Sequence, residues 1–278
     1  EWHHTRMGEY TYACSDFKFK KGLVSATKTS GHTLQIADGL WLDKKFKAAM
    51  MKSIAQSELD RKRFVYSDIG FILLQQVVEA VTGKTLDAYL VSEFYRPMGL
   101  EHTLFQPLNR YKKADIMPTA ANDYLRRQDL CGYVHDEAAA FMGGVSGNAG
   151  LFSTAQELGK IYQMILNEGE LDGKRYLRPE TCRIFTTEKS AVSHRGLGYD
   201  KPNLKDPKAN ACASSAPASV YGHTGFTGTC AWVDPENDLV YIFLSNRLCP
   251  DAWNGKLNSM KIRQAVQEVI YQSLYTPE

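Results

Sequence analysis

A chain of 278 residues and 31.2 kDa is long enough for one large domain or two small ones, with a sizeable buried core. Hydrophobic residues make up 44% and charged residues 23%, an ordinary balance for a globular protein. The formal net charge is +2 with no long run of one sign. That gives no indication of a nucleic-acid surface, and no apolar run reaches the ~18 residues of a membrane helix.

The short basic cluster Lys18, Lys20 and Lys21 reads as a solvated face. No signal peptide is visible, and a chain opening at Glu1 says nothing of compartment. The cysteines Cys14, Cys131, Cys182, Cys212, Cys230 and Cys249 are widely spread without a C-x-x-C pair. A zinc site and a disulfide scaffold both lack support, and most of these residues are expected as buried free thiols.

Residues 1–40 mix polar, glycine and aromatic residues without clear periodicity and read as loop with a short strand. From Asp43 to Ser57, Phe46, Met50 and Ile54 recur at helical spacing. "RFVYSDIGFILLQQVVEAVTG" opens on a β-type run, Phe64 to Tyr66. It predicts a helix from about Ile69 to Val81, capped at its N-terminus by Asp68 and closed by Gly83. Leu86 to Phe94 suggests another helix ending before Pro97.

Gly99 to Asn148 reads as a long irregular stretch whose glycine-dense "MGGVSGNAG" turns tightly. A helix then starts at Ser153 or Thr154, with Glu157 at the capping-box offset from Thr154. Pro179 to Thr186 looks like one more short helix. "YGHTGFTGTCAWVDP" and "DLVYIFLSNR", joined by the turn chemistry of "DPEND", read as adjacent antiparallel strands. "SMKIRQAVQEVIYQSL" closes the chain as an amphipathic helix. Residues 40–190 are thus expected to be mostly helical, and residues 191–278 to hold sheet strands and a C-terminal helix. The class is α+β.

Two segments could carry chemistry. Tyr66, Ser67 and Asp68 lie where a strand-like entry meets a buried helix; a tyrosine there can relay a proton, although a core tyrosine and a helix cap explain the same residues. In "GHTGFTGT", Gly222, Gly225 and Gly228 punctuate a strand, a place where a ligand or another backbone comes close. His223 and Thr224 offer a ring and a hydroxyl beside it, and the N–H after Gly225 could serve an oxyanion hole. The alternative is a bulged strand with a surface histidine. His135 beside Asp136 reads as a structural pair, and His102 and His194 as surface groups. His3 and His4 sit at the terminus. No H-x-x-x-H, Walker-type or strand-bound G-x-G-x-x-G pattern occurs.

Taken together, a tyrosine triplet opening a helix and an H-T-G strand followed by a terminal helix resemble the serine β-lactamase and penicillin-binding-protein superfamily. The nearest branch is the class C-like, β-lactamase-related serine hydrolases. "YSDIGFILLQQVVEAVTGKTLDAYL", "GYVHDEAAAFMGGVSGNAGLFSTAQELGKIYQMIL" and "YGHTGFTGTCAWVDPENDLVYIFLSNR" carry the likeness. It runs from about Leu34 to Leu274.

The resemblance implies an antiparallel sheet packed with helices plus a mostly helical subdomain. It implies an acyl-serine intermediate on a peptide, ester or β-lactam, no metal or organic cofactor, and a periplasmic or secreted location. In some bacterial relatives a glycoside hydrolase module precedes this domain in one polypeptide. Tyr66 matches the family's proton-relay tyrosine. Asp68 stands where the family has asparagine, and an aspartate cannot donate an N–H to a substrate amide. His223 stands where many members have lysine and can meet a substrate carboxylate. Thr224 and Gly225 match the rest of the third motif, and the backbone N–H of Phe226 matches the second oxyanion donor.

The family nucleophile is the serine of S-x-x-K, at the start of a buried helix. Ser25 and Lys28 have that spacing, yet Ser25 precedes Tyr66 by only 41 positions. "TSGHTLQIADG" after Lys28 has no helical periodicity. The expectation is that Ser25 is not the nucleophile. The serine–lysine pair, the strands before it and its helix would belong to an N-terminal segment not represented here, leaving the chain inactive by itself. Two rivals stand beside this: a non-catalytic domain of the same fold that binds cell-wall peptide or glycan, and a compact enzyme that uses Ser25.

Overall fold

The computed structural model describes residues 4–7, 10–13, 18–58 and 64–275. Cys14 and His3 lie outside these residues. In chain order the first strands are β1 (His4–Met7), β2 (Tyr10–Ala13), β3 (Val24–Ser25), β4 (His32–Ala37) and β5 (Leu40–Asp43). The helices α1 (Phe46–Gln56), α2 (Ile69–Thr82) and α3 (Leu86–Leu90) follow, α3 continuing as a π-helical turn over Val91–Tyr95. Next come β6 (Leu104–Phe105), β7 (Pro118–Asp123), β8 (Gln128–Cys131), α4 (Glu137–Phe141) and β9 (Leu151–Phe152). The remainder holds α5 (Ala155–Leu166), β10 (Glu170–Leu171), β11 (Lys174–Arg175), α6 (Pro179–Thr187), β12 (Tyr221–Thr224), β13 (Cys230–Asp234), β14 (Leu239–Phe243), α7 (Lys256–Ser259) and α8 (Ile262–Tyr275). The mixture of helices and antiparallel sheets is the expected α+β class.

The chain divides into two compact units, each assembled from separate stretches. Glu1–Arg61, Ser67–Asp87 and Phe105–Leu151 form the first, and Lys62–Tyr66, Ala88–Leu104 and Phe152–Glu278 the second. This interleaving differs from the expected division into consecutive spans. Residues 40–190 also hold strands as well as helices.

In the first unit, β3, β5 and β4 form an antiparallel sheet in that order. Residues 18–40 therefore hold more strand than their irregular composition suggested. The cause is local: Asp38-Gly39 makes a two-residue turn between Ala37 and Leu40, with Gly39 at φ +59°, and Asp-Gly is a strong hairpin signal. Ile36 and Leu42 from this sheet pack with Leu125, Ala140 and Phe141, and the Phe46 ring meets Phe141 edge-on at 5.0 Å.

The stretch 99–148, expected to be irregular, contains the β7–β8 hairpin and α4. Inside it, Asp123 and Arg126 form a bidentate ion pair with both side chains 0% exposed. The Asp123 oxygens accept from Arg126 Nε at 2.8 Å and Nη2 at 2.7 Å, and Oδ1 also accepts from the Arg126 backbone N–H. Arg126 further donates to the carbonyls of Val134 and His135. Asp136 caps α4 through Ala139 N–H and accepts from Asn148, which gives that carboxylate a helix-capping role.

α2 is held by its buried Gln75. Gln75 Oε1 accepts from Gly147 N–H and its Nε2 donates to the Val145 carbonyl. A side chain at Gly147 would put a Cβ 2.1 Å from the Phe71 carbonyl oxygen, so the glycine-dense loop lies directly on the helix backbone. Gly83 ends α2 in the left-handed region at φ +66° as expected.

The second unit is organised around the antiparallel sheet β12-β13-β14. Cys230 and Trp232 of β13 and Tyr241 of β14 pack against Tyr271 and Ile270 of α8, together with Cys212, Ala213 and Val220. On β14, Val240 and Ile242 line a groove of about 490 Å³ with Ala155, Gly159, Lys160 and Gln163 of α5. Asp234, 2% exposed, accepts from Tyr271 Oη at 2.8 Å and from Asn237 Nδ2 at 2.8 Å, tying the β13–β14 turn to α8. A second core joins Tyr95, Met98, Leu100, Met164 and Leu171. Burial raises the Tyr95 hydroxyl to about 12. Among the described residues Cys131, Cys182, Cys212, Cys230 and Cys249 are free thiols, and Cys182, Cys212 and Cys230 are buried.

Candidate active site

The expected single strand from Tyr221 to Pro235 is two strands. β12 stops at Thr224, and Gly225–Thr229 turn the chain back into β13 in the register Gly222↔Trp232, Thr224↔Cys230. Two glycines are required here by close approach. A Cβ at Gly222 would lie 2.1 Å from the Ala231 carbonyl oxygen, and one at Gly225 would lie 2.2 Å from Thr229 Oγ1. Arg263 of α8 supports the turn, donating to the Thr229 carbonyl at 2.9 Å.

β12 therefore ends at a fixed point and presents His223 there. Its Nδ1 lies 2.7 Å from the Thr224 carbonyl oxygen, which can only accept, so Nδ1 donates. Its Nε2 lies 3.0 Å from Arg195 Nη1, which can only donate, so Nε2 accepts. These partners specify the neutral ring with the proton on Nδ1. The Arg195 guanidinium also lies over the Tyr66 ring, 4.8 Å from its centroid, in cation–π contact. The Tyr66 and His223 rings are 6.3 Å apart and tilted by 34°. Tyr66 is 56% exposed, so it is a surface-accessible phenol and not a core tyrosine.

Arg195 reaches this position because its loop is tied across β12. Asp200 forms an antiparallel bridge to Gly222, with N–H···O distances of 2.7 and 3.1 Å. The Ser190 N–H donates to the Arg195 carbonyl at 2.7 Å, and the Gly196 N–H to the Tyr199 carbonyl at 2.8 Å. Within the turn, Phe226 is 64% exposed. The Arg247 guanidinium covers its ring at 4.3 Å, and Arg247 Nε donates to the Phe226 carbonyl at 2.7 Å.

The structure thus brings Tyr66, His223, Thr224, Gly225 and Phe226 into the second unit. Asp68 belongs to the first. It stands at the N-cap position of α2, but in helical backbone geometry (φ −75°, ψ −19°), and its side chain accepts no capping hydrogen bond. The Ser67 hydroxyl instead accepts from Ile69 N–H at 3.3 Å. The expected capping role of the Asp68 carboxylate is corrected accordingly.

Ser25 and Lys28 do not form a helical pair. Ser25 lies in extended β3 opposite Trp41, and its hydroxyl accepts from Thr27 N–H. Lys28 extends over the Trp41 ring at 5.6 Å. On a helix, residues three apart share a face; here the backbone is extended at the serine and no hydrogen bond joins the two side chains.

Arg195, Asp200 and Arg247 are the residues that motif reading missed. "SHRGLGYD" has no motif, and its one cue is charge concentrated in a glycine-interrupted loop. Among the described residues no three metal-ligating side chains cluster, and no helix is long and apolar enough to cross a membrane.

Comparison with known proteins identifies the family. A family model described as Beta-lactamase matches residues 26–263. The chain is 38% identical over 197 residues to an inferred D-alanyl-D-alanine carboxypeptidase of Escherichia coli strain K12, covering 66% of this chain and 45% of that protein. A like-named protein of Salmonella gallinarum is 32% identical over 227 residues, covering 76% and 52%. The chain spans about half the length of the curated relatives it matches. Its fold is similar to that of the octameric penicillin-binding protein homologue from Pyrococcus abyssi, with a TM-score of 0.51 at 17% identity over 81% of this chain and 49% of that one. It is also similar to simvastatin synthase from Aspergillus terreus, with a TM-score of 0.54 at 17% identity over 84% and 63%. With the family model matching most of its length, the chain belongs to the β-lactamase family, within the serine β-lactamase and penicillin-binding-protein superfamily.

Proposed function

We propose that this chain supplies the tyrosine and H-T-G parts of an acyl-serine hydrolase site of the class C-like type. The substrate is a peptide, ester or β-lactam carrying a carboxylate, in keeping with the carboxypeptidase names of its relatives. The contact of Tyr66, Arg195 and His223 carries the reading. A proton relay through Tyr66 passes through a phenolate, and the guanidinium on its ring face favours that charge. Arg195 is also the natural partner of a substrate carboxylate. The Phe226 N–H at the turn is the candidate oxyanion donor.

The nucleophilic serine and its lysine come from outside these 278 residues in this reading, because Ser25 and Lys28 lack the helical pairing that activation needs. A periplasmic or secreted setting, with cell-wall peptide as substrate, fits the same relatives. A second reading is a non-catalytic domain that binds such a peptide or glycan. The aspartate at position 68, which cannot donate to a substrate amide, favours it.

The test compares the 278-residue chain with the chain extended by its upstream coding sequence. Fluorophosphonate labelling and release of D-alanine from a D-alanyl-D-alanine peptide are followed in both. The extended protein is expected to label and turn over, with Tyr66→Phe costing about 10²–10⁴-fold, the usual worth of general acid–base catalysis. Labelling of the shorter chain that disappears in Ser25→Ala sinks the assignment of the nucleophile. Peptide binding by the extended protein without labelling supports the binding-domain reading.

A further inference from the structure

We propose that Asp200 is a positioning residue of this site, restraining the Arg195 guanidinium between Tyr66 and His223. The inference rests on reading those three residues as one site.

Asp200 is 5% exposed, and buried carboxylates are normally satisfied by hydrogen bonds. Asp123 shows the ordinary solution, with a bidentate arginine and a backbone N–H at 2.7–2.8 Å. Asp200 has nothing of that kind. His194 Nε2 stands 2.8 Å from Oδ1, but Oδ1 has no aligned hydrogen-bond partner among the described residues. Arg195 Nη2 stands 3.7 Å from Oδ2. The carboxylate is thus compensated by two cation-capable side chains of one loop, a costly arrangement for a group serving stability alone.

The geometry points to what this arrangement does. The Asp200 backbone is bridged to Gly222, the residue before His223, so its carboxylate has a fixed origin beside the histidine. Arg195 Nη2 faces that carboxylate while Nη1 donates to His223 Nε2 at 3.0 Å. A guanidinium gripped at 2.7–2.8 Å on two nitrogens, as Arg126 is, has spent its fork. At 3.7 Å the Coulomb restraint persists while the N–H donors remain open to a ligand. The loop has little freedom to deliver the guanidinium elsewhere, since a Cβ at Gly196 would lie 2.8 Å from the Glu188 carbonyl oxygen.

The test reads the imidazole of His223 by long-range ¹H–¹⁵N NMR on the full 278-residue chain, with the signal assigned through His223→Gln. At mildly alkaline pH the unmodified chain is expected to show one tautomer, protonated at Nδ1. Asp200→Asn keeps the side-chain shape and leaves the backbone bridge to Gly222 available. It is expected to lose the single-tautomer signature, with an Nε2–H population appearing, and Asp200→Glu to restore part of it. Arg195→Lys is expected to give the same loss, and adding Asp200→Asn to it no further change, because both act through one guanidinium.

An unchanged tautomer in Arg195→Lys overturns the proposal even if Asp200→Asn fails to fold. Independent, additive effects of the two variants overturn it as well. Turnover tests the functional reading separately. A tautomer that responds as described in a protein that never labels removes that reading alone, and turnover with an indifferent tautomer removes this inference alone.

Discussion

At the scale of single residues, the site depends on positions where nothing larger fits. Gly222 is the clearest: an alanine there would drive its Cβ to 2.1 Å from a carbonyl oxygen and 2.7 Å from the Trp232 ring. Gly222→Ala is expected to lower stability by about 1–3 kcal/mol, the usual cost of overpacking, read as a fall in urea midpoint. It should also loosen the Asp200 bridge. The Asp123–Arg126 pair makes a different prediction. Burial by itself would raise the Asp123 carboxyl, but the hydrogen bonds and charge of Arg126 outweigh it and hold the group below its ordinary value. A carboxyl depressed in the folded state stabilises above its unfolded value of about 3.9 and loses that contribution as pH falls through the folded value. Asp123→Asn should cost about 3–5 kcal/mol at neutral pH, because it leaves a buried guanidinium unpaired. The gap between variant and parent should narrow below about pH 4. A gap independent of pH would mean that the charge of Asp123 is not what stabilises the hairpin. Tyr66 and His223 could be found in the sequence because their motifs are contiguous. Arg195 and Asp200 could not, because an ion pair closed across a loop leaves no spacing to read.

At the scale of elements, the start of α5 shows sequence and structure agreeing in position and differing in wiring. Thr154 caps the helix as its spacing with Glu157 predicts, accepting from Glu157 N–H at 3.3 Å. The Glu157 carboxylate, expected to return to the cap, instead collects Glu101 N–H, His102 N–H and the Thr103 hydroxyl. A capping box read from sequence thus became a clamp on a loop more than fifty residues away. Burial raises the Glu157 carboxyl, and the Thr103 hydroxyl and the two backbone donors more than reverse this, leaving it below its ordinary value. Thr154→Ala should therefore cost about 1 kcal/mol. Glu157→Gln should cost more at neutral pH and progressively less as acid protonates the parent's carboxylate, measured from paired denaturation curves across pH. A Thr154→Ala variant more damaging than Glu157→Gln would put the cap above the clamp. Helices α1, α2, α5, α6 and α8 were legible to within a few residues. The β4–β5 hairpin was missed although its Asp-Gly turn was there to be read, since the flanking residues lack clean alternation and the register is broken by bulges. The β7–β8 hairpin was missed for a deeper reason: it is held by the buried Asp123–Arg126 pair, and buried charge reads as loop in a sequence.

At the scale of the whole molecule, two apolar surfaces bear on how the chain behaves in solution, one in each unit. In the first, Ile69, Leu73, Leu74, Val77 and Val81 follow one another along α2 at helical spacing and are all exposed, Val81 to 80%, while Ile72 and Gln75 are buried. This is a continuous stripe and not scattered surface leucines, and such patches mark association surfaces. In the second, β14 (Leu239–Phe243) ends the sheet, with no charge and no proline in its sequence and no strand paired to its outer side among the described residues. Edge strands are normally blunted by charge, proline, a bulge or a covering element; β14 has none of the first three, and α5 lies across the groove that Val240 and Ile242 line. The 278-residue chain is therefore expected to self-associate, sedimenting faster with increasing concentration and binding the dye ANS in its folded state. Leu74→Glu with Val77→Lys changes exposed positions, so it should alter stability by no more than about 0.5 kcal/mol per site while lowering ANS binding. Leu244→Lys, at the exposed residue just after β14, should separately reduce association without touching the helix stripe. If the first pair alone restores a monomer, α2 is the dominant surface; if only Leu244→Lys does, the strand edge is. A chain that sediments as a monomer at every concentration and binds no ANS would show that neither surface drives association.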